Sequence, residues 1–405
     1  MRVLFADAVS PSAVEALTEA GHECASEPTL GEDDLPDRIA GFEALVVRST
    51  KVSAATIEAA DALELIVRAG AGTNTIDVGA ASAAGIYVTN VPGRNAIAVA
   101  ELTMGLLLAI DRRIADNVAD LRSGSWNKKE YAKADGLYGK TFGVVGLGEI
   151  GFAVAERAAA FGLQVLAIEK DRDEASQERI DAIGIELVDS QETLVSRSDV
   201  VSIHVPATPE TVGSFDARLL GLLRDGAILL NTSRGDVVDE AALLDAIETR
   251  GIRAGLDVYP DEPGSGATEW SSKLAQHPNV VGTHHIGAST TQAQEAVADG
   301  VVRIIASYVR GEIVDCVNLA PTRLGTHTLH VRHLDRVGVL AGVFDLLRRH
   351  DLNVEQMENR IFEGRNAAVA TIDVVGDVDQ DLLAALEELD HVIHVSVVPT
   401  GRAGS

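Results

Sequence analysis

The chain has 405 residues, 46% of them hydrophobic, which is enough for two or three domains with packed cores and excludes disorder as a global description. Lys and Arg total 34 against 61 Asp and Glu, a formal net charge of −27. That balance argues against nucleic-acid binding and against adhesion to anionic membranes, both of which need basic patches.

The acidity is spread from Asp7 to Asp390 with no block of five, and Arg outnumbers Lys 27 to 7. Such a surface resembles those of proteins from salt-loving organisms, where salt screens the self-repulsion. Two cysteines, Cys24 and Cys316, make no disulfide framework and fit a reducing cytoplasm. The N-terminus reads as a strand rather than a leader, and the apolar run Ala98–Ile110 is interrupted by Glu101 and too short to span a bilayer. A cytoplasmic protein with no membrane partner, no nucleic-acid partner and no metal site is therefore expected.

In chain order, Val3–Ala6, Ala44–Val47, Leu65–Val67 and Ile86–Thr89 read as buried strands, with helices such as Pro11–Ala20 and Val52–Ala60 between them. This rhythm predicts a parallel, doubly wound sheet. A single long helix is expected over about Ala96–Ser123. A second α/β unit starts at Lys140, with strands at Phe142–Val145, Gln164–Ile168, Val200–His204, Ala227–Asn231, Arg253–Leu256 and Val280–Gly282. Helices fit at Glu149–Phe161 and Glu240–Arg250, and another at Thr290–Arg310 leads back out. Two Rossmann-like domains facing a cleft follow: 1–97 with 286–320 for the substrate, and 98–285 for a dinucleotide. A linker is expected at Pro321–Thr326. Beyond it, 326–400 reads as strand His327–Leu334, helix Val337–His350, strands Asn353–Ile361 and Ala367–Val375, helix Asp379–Leu389 and strand Ile393–Val398. That βαββαβ order is ferredoxin-like.

Gly146-Leu147-Gly148-Glu149-Ile150-Gly151 follows a strand and opens a helix. Its glycines let the backbone approach a pyrophosphate whose charge meets the helix N-terminus. Glu169, just after the next strand, is placed to accept from both ribose hydroxyls and to repel a 2′-phosphate, so NAD is expected over NADP. Lys170 and Arg172 lie close by and weaken that preference.

Three further segments end successive strands: Asn231–Asp239, Gly255–Pro263 and His284–Thr290. Ligands in open α/β sheets bind outside the C-terminal strand ends. An Arg, a Glu and a His there suit a 2-hydroxy acid. The Arg fork holds the carboxylate, the His takes the hydroxyl proton, and a carboxylate on the far ring nitrogen fixes the tautomer. Alone, each residue is more often a solvated or structural one; it is the three in register that point to a site.

With Trp126-Asn127-Lys128-Lys129 upstream, these motifs resemble the D-isomer-specific 2-hydroxyacid dehydrogenase family over about residues 1–320. The resemblance implies Arg234 as the substrate arginine, Glu262 as the histidine's partner and His285 as acid/base, with His284 only its neighbour. It implies cofactor contacts from Gly146, Gly148, Glu149, Ile150, Gly151, Glu169 and Asp257, the last near the nicotinamide carboxamide. Thr73 and Asn74 belong to a loop that holds the substrate carboxylate, and Arg48 and Ser49 match contacts to the rest of the substrate. Arg94 is open between phosphate contact and surface charge. Trp126 is open between core packing and a dimer contact.

The C-terminal unit, with His333–Leu340, resembles an ACT domain, a module that pairs side by side and binds amino acids between the pair. By position His333, Asp335 and Asn353 face the effector, serine in some members. Asp335 stands where serine-inhibited members carry Asn, and Val337 where Pro is common. A purely oligomerising role is the other reading. Members that join the two units oxidise 3-phospho-D-glycerate with NAD, and a homodimer or homotetramer is expected. The rivals are glyoxylate or hydroxypyruvate reduction and a non-enzymatic NAD sensor.

Overall fold

The computed structural model describes residues 1–263, 269–320 and 325–399. Most of the expected linker lies outside the described residues. The chain divides into a unit of Met1–Asn318 and a second of Leu319–Ser405.

The first unit begins with β1 (Arg2–Phe5), β2 (Glu23–Ser26), β3 (Ala44–Val47), β4 (Leu65–Arg68) and β5 (Tyr87–Asn90). They form a parallel sheet in the order β2-β1-β3-β4-β5. Runs such as Ala-Leu-Val-Val in β3 are buried on both faces, as parallel strands covered by helices require. One covering helix, Thr291–Val309, comes from far along the chain: its Ala298, Val301, Ile304 and Ile305 share a core with Val3, Phe5, Val46 and Val67.

The second sheet takes β6 (Thr141–Val145), β7 (Gln164–Ile168), β8 (Glu186–Val188), β9 (Val200–Ile203), β10 (Ile228–Asn231), β11 (Arg253–Leu256) and β12 (Val280–Gly282). Its order is β12-β11-β10-β9-β6-β7-β8, with the strand order reversing at β6/β9. Side-chain caps start its helices: Asp173, Ser190, Asp216 and Asp239 each accept from a first-turn amide. Left-handed Gly184 and Gly251 end two of them.

One expectation needs correction, and two strands go unread in the sequence. The helix expected over Ala96–Ser123 is two helices, Ala96–Asp111 and Ile114–Arg122. Arg113 sits between them at φ 48°, a conformation that ends an α-helical ladder. It is held there by Asp116 and Glu130 at 3.0 and 2.7 Å. Strands β2 and β8 escape the sequence reading because each lies at a sheet edge and carries a charged first residue, so its apolar signal is weak.

The second unit contains β13 (His327–Leu334), helix Val339–Arg349, β14 (Asn353–Ile361), β15 (Ala367–Val375), helix Gln380–Glu387 and β16 (Val392–Pro399). Its antiparallel sheet runs β14-β15-β13-β16, the βαββαβ arrangement expected. Both helices cover one face, over Leu329, Val331, Ile372 and Val374.

Among the described residues, no helix is long and apolar enough to cross a membrane.

Candidate active site

The strand ends of both sheets of the first unit open on one cleft of about 1200 Å³. Arg48, Arg68, Arg234, Glu262 and His285 all line it, together with Ile150 of the glycine motif.

Glu262 and His285 are paired. Glu262 Oε2 lies 2.6 Å from His285 Nδ1, and its Oε1 accepts from Tyr259 N at 2.8 Å. The hydrogen bond and charge of Glu262 raise the imidazole above its ordinary range, against partial desolvation. Burial raises the Glu262 carboxyl, but His285 and the Tyr259 amide outweigh it and the net shift is downward. With Nδ1 facing Glu262, Nε2 is the nitrogen left for a substrate.

His285 is held in an uncommon backbone conformation, φ 52°. Asp257 over-determines it. The Asp257 carbonyl accepts from His285 N at 2.8 Å. Its carboxylate accepts from Ile286 N at 2.9 Å, Gly287 N at 2.8 Å and Thr283 Oγ1 at 2.6 Å. Expected as a cofactor contact, Asp257 is 1% exposed and its carboxylate is bound to the histidine loop.

Arg234 projects from the loop after β10. Asn231 shapes that loop: its Nδ2 donates to Arg234 O at 2.9 Å and its Oδ1 accepts from Ser233 N at 3.0 Å. Gly235 packs so tightly that an added Cβ would lie 2.1 Å from the Tyr259 carbonyl carbon. This contact brings the Arg234 loop against the segment that carries Glu262. Across the cleft, a Cβ on Gly72 would meet Arg234 Nη2 at 2.7 Å and Asn74 Oδ1 at 3.2 Å. Arg234 therefore reaches the Gly70–Asn74 loop. Thr73 lies in that loop, where its carbonyl accepts from Ile76 N at 3.0 Å.

Arg48 and Ser49 follow β3 and face the cleft. Arg94 is exposed and lies outside the residues that line it. Two groups there were not singled out from sequence. Asp7 is 8% exposed and accepts from Arg48 N, Ser49 N and Thr50 N at 2.6, 3.0 and 2.9 Å, and from Ser49 Oγ at 2.8 Å. Burial raises its pKa, but these hydrogen bonds bring it below the ordinary carboxylate value. Arg68, the last residue of β4, is largely buried, and its Nε has no partner among the described residues. Burial, then repulsion from Arg234 and Arg48, pulls its guanidinium down to about 10, with Asp7 opposing. The strand-end rule applied to every strand finds both residues.

The glycine motif fits a dinucleotide. Gly146 has φ 99°, and a Cβ there would lie 2.5 Å from His204 O. A Cβ on Gly151 would lie 1.9 Å from Gly146 O, while nothing lies within 4 Å of one on Gly148, which leaves the main chain open to a phosphate. Helix Glu149–Ala160 starts there with no side-chain cap on its amides. Glu169 follows β7, and Arg172 folds onto Ile168 O at 2.6 Å and Lys170 O at 3.1 Å, so its donors serve the backbone. His204 Nδ1 is buried without a partner among the described residues, its Nε2 lies 2.7 Å from Ser202 Oγ, and burial pushes its pKa down to about 3.

In the C-terminal unit the three expected effector residues do not meet within one chain. His333 is 2% exposed on the helix-covered face, bonded to Leu334 O and Asn359 Oδ1 at 2.8 and 3.2 Å. Asp335 is exposed in the following loop. Asn353 pairs with Val375 while His333 pairs with Ala368, seven residues along β15, or about 24 Å of strand.

Fold and cleft together define a two-lobed, Rossmann-type nucleotide-binding protein. The NAD-binding domain of the D-isomer specific 2-hydroxyacid dehydrogenases matches residues 104–287. D-3-phosphoglycerate dehydrogenase of Methanocaldococcus jannaschii is 39% identical over 331 residues, 80% of this chain and 61% of that one. Its namesake in Mycobacterium tuberculosis is 40% identical over 351 residues, 84% and 63%. The chain thus spans about three fifths of the length of these relatives. Among solved structures, the TT0316 protein of Thermus thermophilus is 33% identical, with TM-score 0.69 over 78% of this chain and 100% of that one. The NAD-dependent formate dehydrogenase of Staphylococcus aureus, solved with NAD, is 28% identical, with TM-score 0.64 over 79% and 100%. The chain belongs to the D-isomer-specific 2-hydroxyacid dehydrogenase family, and NAD is its cofactor.

Proposed function

We propose that the protein oxidises 3-phospho-D-glycerate to 3-phosphohydroxypyruvate, the first step of serine synthesis. The observation that carries this reading is the convergence of Arg48, Arg68 and Arg234 on the cleft that holds the Glu262–His285 pair. A substrate with one carboxylate calls for one such arginine; a phosphorylated hydroxy acid uses more. The D-3-phosphoglycerate dehydrogenases among its relatives support the same substrate.

In this reading Arg234 and the Thr73-Asn74 loop hold the carboxylate beside the carbinol. Arg48 and Ser49 meet the phosphate. His285 Nε2 takes the hydroxyl proton, and Glu262 stabilises the imidazolium on the opposite nitrogen. Gly146–Gly151 and Glu169 would hold NAD, which would supply the acceptor for the C2 hydride. Asp257 keeps the histidine loop in place during the transfer.

Further proposals concern assembly and setting. Exposed Trp126 and Leu121, 82% and 56% accessible, suit burial against a second copy of the chain in a homodimer or homotetramer. We read the C-terminal unit as an ACT domain whose His333, Asp335 and Asn353 would be joined only across two copies, around an amino acid such as serine. Two free thiols fit a cytoplasm, and the −27 charge fits a salt-rich one.

The test is NADH formation from 3-phosphoglycerate, D-lactate, D-glycerate and 2-hydroxyglutarate in molar KCl, with and without serine. Turnover fastest with 3-phosphoglycerate is expected. Turnover with glycerate and none with the phosphorylated acid would replace this reading with the reductase one. Rates unchanged by serine would remove the effector proposal alone.

A further inference from the structure

Asp7 is an acid in a cleft built for anions. At a distance its charge opposes the proposed substrate, and a neutral residue there would bind that substrate more tightly by the Coulomb argument alone. Its contacts argue the reverse. All four of its hydrogen bonds run to the three residues after β3, and three of them fix consecutive main-chain amides. Thr50 Oγ1 adds weaker bonds to Leu30 O and Ala6 O, at 3.3 and 3.5 Å. Beyond Asp7, the Arg48–Thr50 turn has little to define it.

We propose that Asp7 is a positioning residue: it fixes the Arg48–Thr50 main chain so that the Arg48 guanidinium and Ser49 hydroxyl meet a second anionic group of the substrate. This rests on reading Arg48 and Ser49 as substrate contacts. A carboxylate serves because Oδ2 alone accepts all three main-chain amides while Oδ1 accepts from the Ser49 hydroxyl; asparagine keeps one such oxygen, whereas alanine removes the anchor. The charge it brings is offset by the neighbouring Arg68.

The experiment is a double-mutant cycle in the full chain with Asp7→Ala, Arg48→Met and both, read as KM, kcat and the NADH dissociation constant. For Asp7→Ala, KM for 3-phosphoglycerate is expected to rise about tenfold, with kcat and NADH affinity within about twofold of wild type, as loss of a charged hydrogen-bond anchor implies. The double variant is expected to be no worse than Arg48→Met. A lowered KM in Asp7→Ala would show that its charge is what matters, and an unchanged KM that it positions nothing; either would overturn the proposal. Additive losses, or NADH binding weakened along with KM, would overturn it in favour of a general structural role. A wild-type protein inert toward 3-phosphoglycerate would sink the substrate reading instead; the cycle is then run with 2-hydroxyglutarate, whose second carboxylate presents the same demand.

Discussion

Glu262 and His285, 23 positions apart in sequence, meet through a 2.6 Å contact between Oε2 and Nδ1. The carboxylate raises the imidazole pKa, and oxidation of a hydroxy acid needs the imidazole unprotonated. The rate of oxidation therefore falls as pH drops through the raised His285 pKa. In Glu262→Gln that acid limb moves to lower pH, and kcat falls by about a hundredfold or more from loss of the oriented base. A pH profile of kcat/KM for both proteins checks the direction; a limb that stays in place removes Glu262 from the role.

Asp257 holds three backbone amides and a hydroxyl of the loop that carries His285. Asp257→Ala leaves buried donors without partners, at a cost of about 2–4 kcal/mol in unfolding free energy. It also frees the left-handed turn at His285, so kcat falls. Urea unfolding and steady-state kinetics on one preparation measure both. Full activity in a destabilised variant would separate the loop from catalysis.

Arg68 gives opposite signs for stability and binding. Its largely buried guanidinium has an Nε without a partner among the described residues, and two arginines oppose it while Asp7 compensates it only in part. Arg68→Met should raise the stability of the ligand-free protein by about 1 kcal/mol, because a poorly compensated buried charge is removed. The same change should raise KM for 3-phosphoglycerate about tenfold or more, since a charged hydrogen bond to the substrate is lost. Thermal melting without ligand reads the first and kinetics the second; a fall in both stability and substrate affinity would make Arg68 a structural residue.

Gly235 is the contact through which the arginine loop touches the segment carrying Glu262. In Gly235→Ala the new methyl overlaps the Tyr259–Pro260 main chain, where the nearest atom lies at 2.1 Å. The two segments must part, costing about 1–3 kcal/mol as overpacking does. Loss of kcat/KM should exceed loss of NADH affinity, which fluorescence titration tests.

Much of this was legible in the sequence. The parallel strands at Ala44–Val47 and Val200–Ile203 are unbroken apolar runs or nearly so, and the glycine motif and the three strand-end segments each carry residue types that only a site combines. The edge strands Glu23–Ser26 and Glu186–Val188 were not, because an edge needs no continuous apolar run. The break at Arg113 was hidden because nothing in its residue type forbids a helix. A local ion pair with Asp116, a distant one with Glu130 and a left-handed turn decide it.

The sequence by itself determined the element types and the dinucleotide loop, since local pattern specifies them, and through the family resemblance it pointed to Arg234, Glu262 and His285. Only the tertiary structure decided the use of the remaining charges. Asp257, expected as a cofactor contact, lines the cleft and also anchors the histidine loop. Asp7 and Arg68, from strands that share no motif, meet Arg48 at one cleft wall. Burial and pairing set the work of an ionisable group, and both arise only when separate strands are brought side by side.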